Sequence, residues 1–173
     1  LNPLHLINSD YDGDMRPTNG APDIGADEIN ACLIKVGEQF FSVLQDAIDY
    51  AEATDQYQVL IGRGECRGVQ TKNGTEQVGY VSEDLHFIGS LPRETFNPAS
   101  GDRKNPNILV VTTIINAIDE GRVIYVANNA SPIFEQLAFV RGNAFNTDPA
   151  SNNGGGVYNA GAGTVAFEMS DIS

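Results

Sequence analysis

Tryptophan is absent from the 173 residues, and methionine, histidine and cysteine occur only twice each. So small a supply of sulfur and imidazole argues against a cofactor-rich enzyme. Basic residues are also scarce: ten Lys and Arg stand against 23 Asp and Glu, for a formal charge of −13. That balance repels phosphate backbones and anionic lipid, so nucleic acid and direct membrane insertion are not expected. It leaves divalent cations as partners, beside the plain reading of a solvated acidic surface. No apolar run reaches the roughly 18 residues that a membrane-spanning helix needs. The first residue is Leu1, inside patterned sequence. No signal peptide precedes it, so the chain reads as a processed product or a piece of a longer protein.

Turn-forming residues, by contrast, are plentiful. Eighteen glycines and many Asn and Asp residues predict frequent corners. Residues 1–30 read as an ending: Leu4, Leu6 and Ile7 could form a short strand, and turn residues follow. Residues 31–37 read as a strand. One convincing helix spans about 42–53. There Ser42 and Gln45 have capping-box spacing, and Phe41, Leu44, Ile48 and Ala51 make one apolar face. Strand candidates then recur at 58–62, 85–89, 112–117, 137–142 and 165–169, with secondary strands at 77–81, 121–127 and 156–158. Asn73-Gly74 is a strong turn signal. The 154–173 stretch condenses the pattern into strand, tight corner and strand. A unit that small cannot bury its own apolar face and needs a similar unit stacked on each side. The spacing predicts an all-β right-handed parallel β-helix, a solenoid with one N-terminal capping α-helix, over an antiparallel sandwich. The sandwich's turns would recur faster.

Particular motifs carry a family resemblance. The segment from Phe41 to Ala51, followed by Tyr57-Gln58-Val59-Leu60-Ile61-Gly62 and Cys66, resembles the N-terminal cap and first rung of pectate-lyase-like right-handed parallel β-helix proteins. Cys66 stands where that family commonly has Tyr. Gly154-Gly155-Gly156-Val157-Tyr158-Asn159 is similar to repeats of secreted bacterial β-helix proteins, such as the chlamydial polymorphic outer-membrane proteins. Asp12-Gly13, Arg16-Pro17 and Asp23-Ile24-Gly25-Ala26-Asp27-Glu28 resemble the segment that closes such helices. The resemblance implies a closing or linker segment at 1–30, then the opening strand, helix and rungs at 31–173. The closing segment thus precedes the opening one. That order suits the junction of two domains, or a unit whose last rung is closed by another copy.

Asp10, Asp12 and Asp14 place carboxylates at the alternating positions that calcium loops use. The glycine comes one position early and no Glu closes the loop, so calcium stands beside a solvated turn as the reading. Cys32 and Cys66 lie at the edge of two neighbouring predicted strands, and the extracellular setting implied by the resemblance favours a disulfide between them. His5 and His86 lack metal-ligand spacing. Asn128, Asn129, Asn143, Asn152, Asn153 and Asn159 lie near corners, where stacked side chains could form ladders. Asp84, Glu135, Arg141 and Glu168 are the residues that would serve catalysis on this fold, but no nucleophile lies beside a base, and no catalytic residue is assigned. The expected function is a non-catalytic structural module of a cell-surface protein. It could be a subunit of a head-to-tail filament, bound to copies of itself or to neighbouring domains of a long chain. The alternative is a carbohydrate-active enzyme or an adhesin that binds glycans, although no stripe of Tyr or Phe is evident on an outward face.

Overall fold

A computed structural model describes residues 32–91, 113–144 and 155–172. Fourteen short strands and one helix are found among them. They open with β1 (Ile34–Val36) and β2 (Gln39–Phe41), followed by helix α1 (Leu44–Ala53). Next are β3 (Gln58–Gly62), β4 (Gly64–Arg67), β5 (Gln70–Lys72), β6 (Thr75–Val81) and β7 (His86–Leu91). Then come β8 (Thr113–Asn116), β9 (Arg122–Val126), β10 (Ile133–Glu135) and β11 (Leu137–Val140). The last are β12 (Val157–Asn159), β13 (Ala166–Glu168) and β14 (Asp171–Ile172).

These strands form three sheets, ordered β13-β10-β7-β3-β1-β2, β14-β11-β8-β4 and β12-β9-β6-β5. The expected right-handed parallel β-helix is therefore corrected. The strands do not stack as a single parallel β-helix, and two of the sheets are mixed, with antiparallel pairs β1–β2, β1–β3 and β5–β6. The physical reason lies in two tight reversals. Gly37 at φ +57° turns β1 into β2, and Asn73 and Gly74 at φ +53° and +78° turn β5 into β6. Such two-residue connections join antiparallel strands only. The remaining neighbours pair in parallel over long connections.

The single series of strand candidates is corrected too. Those at 58–62, 85–89 and 165–169 meet in the first sheet, while those at 112–117 and 137–142 belong to the second. Between β7 and β13 in the first sheet sits β10, a strand the pattern did not single out. Each strand is a short apolar run of similar composition, so its sheet cannot be read from it.

Between the sheets, apolar residues meet in register. Val59, Phe87, Phe134 and Phe167 follow one another across the first sheet. The Phe87 and Phe134 rings stack at 4.9 Å, and Phe139 from the second sheet meets Phe134 edge-on at 5.2 Å. Gly79 leaves room for Leu44 and Ile48 of α1, since a Cβ there would lie 3.0 Å from the Ile48 side chain. The helix buries Leu44, Ala47, Ile48 and Ala51, matching the apolar face read from the sequence. Its start differs from the expected capping box. Val43 is the N-cap and no side chain caps the helix, while Phe41 belongs to β2. Gln45 is buried and serves β6 instead, accepting from Tyr80 N at 2.7 Å and donating to Tyr80 O at 3.3 Å. A disulfide joins Cys32, just ahead of β1, to Cys66 in β4, with Cα atoms 4.5 Å apart.

Candidate functional site at the open end of the sheets

The two ends of this core differ. At one end α1 packs against β1, β2, β3 and β6. At the other, β12, β13 and β14 are the terminal strands of their sheets. Among the described residues, no strand lies beyond any of the three. Among those residues, each therefore has one row of backbone N–H and C=O groups without a ladder partner.

Local chemistry explains how the last strands reach this position. Gly142 and Gly155 bring two backbones into contact, and a Cβ on either would collide with the other's carbonyl. Gly155 belongs to the glycine run noted in the sequence, and close approach is its role here. Its carbonyl accepts from Val123 N at 2.9 Å, which guides the chain into β12 beside β9. The corner after β12 is built on Asn side chains. Asn159 Oδ1 accepts from Gly161 N at 3.1 Å, and Asn129 Oδ1 accepts from Ala162 N at 2.7 Å. These two Asn residues hold backbone and not one another, which corrects the ladder expectation for them; Asn152 and Asn153 lie outside the described residues. Ser170 completes the turn after β13. Its Oγ donates to Phe134 O at 3.0 Å and accepts from Leu137 N at 3.2 Å.

The side chains at this end are apolar and incompletely covered. Phe167 continues the aromatic column, 5.7 Å from Phe134 and 6.0 Å from Phe139, yet it remains 39% exposed. Met169 is 77% exposed, at φ +47°. Val157 and Val165 are only partly buried against the core. A large aromatic ring that stacks on one face and meets solvent on the other marks a core cut across its section.

Other candidate residues fall elsewhere. Glu135 and Glu168 are in-register neighbours on β10 and β13, and His86 Nε2 lies 3.2 Å from Glu135 Oε2. Asp84 accepts from Ser131 N at 2.6 Å and so serves a corner. Arg141 pairs with Asp119. Of the four residues weighed for catalysis, Glu135 and Glu168 thus lie side by side, while Asp84 and Arg141 serve other contacts. A hollow of about 320 Å³ is lined by Glu52, Asp55, Tyr57, Glu83, Asp84 and neighbours. Its Glu52 is already engaged with Ser82 N and Oγ. Among the described residues no group of three His, Cys, Asp or Glu side chains could hold a metal ion. Asp10, Asp12, Asp14 and His5 lie outside those residues.

One feature escaped the sequence reading. Tyr80, Tyr125 and Tyr158 are in register across the third sheet, with ring centroids 5.2 and 5.3 Å apart. Lys72 sits 5.1 Å from the Tyr80 ring, and Arg122 sits 4.9 Å from that of Tyr158. The three tyrosines are unevenly spaced along the chain, so no repeat betrays them. Tyr80 and Tyr125 stack nearly parallel, so each covers one ring face of the other, while Tyr158 is tilted by 51° against Tyr125. On the second sheet, hydrogen bonds from Arg67 and then Asn116 hold the Glu65 carboxyl below its ordinary value of 4.5, against the opposing pull of burial.

No protein-family model, curated protein or solved structure matches this chain.

Proposed function

We propose that this chain is a non-catalytic structural module of an extracellular surface protein, and that its working part is the open end. The observation that carries this reading is the end formed by β12, β13 and β14: among the described residues no strand lies beyond them and Phe167 is 39% exposed there, while α1 packs against the end where β2 is terminal. Free edges with an apolar cross-section recruit further β-structure, because backbone pairing and burial reinforce each other there. The Cys32–Cys66 disulfide supports an oxidising setting. The engagement of Asp84 with Ser131 and of Arg141 with Asp119, apart from the neighbouring Glu135 and Glu168, supports a role without catalysis. A carbohydrate-binding reading draws less support, because Tyr80 and Tyr125 stack on each other.

Two measurements test the proposal. Amide hydrogen exchange should show the β12–β14 amides exchanging fast in dilute protein and slowing on association, with β3 and β7 unchanged. Incubation with a panel of neutral and acidic polysaccharides should release no reducing ends above buffer. Release of sugar that survives repurification would overturn the reading.

A further inference from the structure

We infer that Asn73 is a site of spontaneous covalent modification: its side-chain amide is lost to the Gly74 nitrogen through a cyclic imide, leaving aspartate and isoaspartate at the tip of the β5–β6 hairpin. The inference goes beyond the structural reading above and does not depend on it. Asparagine amides are thermally labile, and the following residue and the freedom of the side chain set their lifetime. Asn73 and Gly74 are both exposed. They are the two residues between the paired Lys72 and Thr75, so the Gly74 nitrogen takes no part in the ladder. Among the described residues no hydrogen bond engages the Asn73 side chain. Asn116, Asn129, Asn143 and Asn159, by contrast, all hold backbone groups. A Cβ at Gly74 would meet nothing within 4 Å, so no neighbour shields the position from attack or from water. Asn128 supplies the contrast. It is exposed at the same φ of +53°, but Asn129 follows it, and a Cβ there crowds the nitrogen that would attack. The other two Asn-Gly pairs, Asn19-Gly20 and Asn153-Gly154, lie outside the described residues.

The chemistry needs only base and water. The Gly74 nitrogen gives up its proton and attacks Asn73 Cγ. The N–Cγ bond forms, the Cγ–Nδ2 bond breaks, and ammonia leaves. Water then opens the five-membered imide. Opening at Cγ gives aspartate, and opening at the backbone carbonyl gives isoaspartate, in which the main chain runs through Cβ and Cγ. Either product adds one negative charge to the −13 of the chain. Isoaspartate also lengthens the tip by one backbone carbon, which the two-residue closure between Lys72 and Thr75 does not fit. Lys72 Nζ lies 2.6 Å from Asp49 of α1, so the change reaches the contact between hairpin and helix. The turn holds Asn73 at positive φ, and ring closure waits on local opening of this exposed tip.

The test is peptide mapping by mass spectrometry of the full 173-residue chain, aged in mildly alkaline buffer with and without urea. Fragmentation that cleaves N–Cα bonds separates isoaspartate from aspartate. In the native chain Asn73 should convert at least about tenfold faster than Asn128, and within about a hundredfold of its own rate in urea. Isoaspartate should exceed aspartate, and both should form faster as pH rises, because the attacking nitrogen must lose its proton. Gly74→Ala, compared in urea where folding plays no part, should slow the loss at least about tenfold. Amide exchange at Thr75 should quicken as isoaspartate accumulates. A smaller margin over Asn128, a native rate more than about a hundredfold below that in urea, or aspartate without isoaspartate would each overturn the inference. The polysaccharide assay is unaffected by any of these outcomes, so either conclusion can fail while the other stands.

Discussion

Three local contacts illustrate how single residues hold this fold. The Cys32–Cys66 link closes a loop with a sequence separation of 34. In the chain-entropy view such a loop contributes about 3–4 kcal/mol. A Cys32→Ser/Cys66→Ser variant should lose about that much in urea unfolding, and adding reductant to that variant should change nothing further. Gly142 matters for a different reason, since its missing Cβ admits the Gly155 carbonyl. Gly142→Ala should cost about 1–3 kcal/mol by forcing the two backbones apart, and exchange should quicken first in β12. Glu65 supplies a pH dependence. Its folded carboxyl titrates below the ordinary value of 4.5. Its pairing with Arg67 and Asn116 therefore stabilises fully above that value and is lost as pH falls through the folded value. Urea midpoints at about pH 6 and about pH 3.5 should differ less in Glu65→Gln than in the parent chain.

At the scale of elements, α1 and β6 depend on one buried amide. Gln45 takes both backbone groups of Tyr80, and Gly79 beside it admits the Leu44 and Ile48 side chains. Gln45→Ala should cost about 1–3 kcal/mol, because the Tyr80 N–H would be left buried and unpaired. The measurement is chemical denaturation, with exchange at Tyr80 as the local reporter. The sequence pattern identified the helix through its apolar period but assigned Gln45 to its own first turn. A capping box and a tertiary contact ask for the same residue type, and only the position of β6 selects between them. The antiparallel hairpins show the converse. Asn73-Gly74 was legible as a turn because few other residue pairs accept two positive φ values in succession.

For the molecule as a whole, charge and section dominate. A net −13 on 173 residues opposes compaction through self-repulsion. Raising sodium chloride from about 0.02 M to about 0.2 M should therefore raise the urea midpoint of the chain. A flat response would mean that local ion pairs such as Lys72–Asp49 already balance the field.

What the sequence determined by itself was local. Apolar alternation placed β3, β7, β9, β11 and β13 close to their observed positions, and the 3.6-residue period placed α1. These follow from side-chain geometry along a single element, which neighbours in sequence control. The tertiary structure decided the rest: which sheet each strand joins, that β10 stands between β7 and β13, that β1 and β5 run against their neighbours, and that Tyr80, Tyr125 and Tyr158 meet. The open end belongs to that second group. Phe167 has the same sequence signature as Phe87 and Phe134, and what distinguishes it is that no further strand among the described residues lies beyond β13. Strand registry joins residues tens of positions apart, and its energy comes from burial and pairing shared between segments, so no single stretch of the chain encodes it.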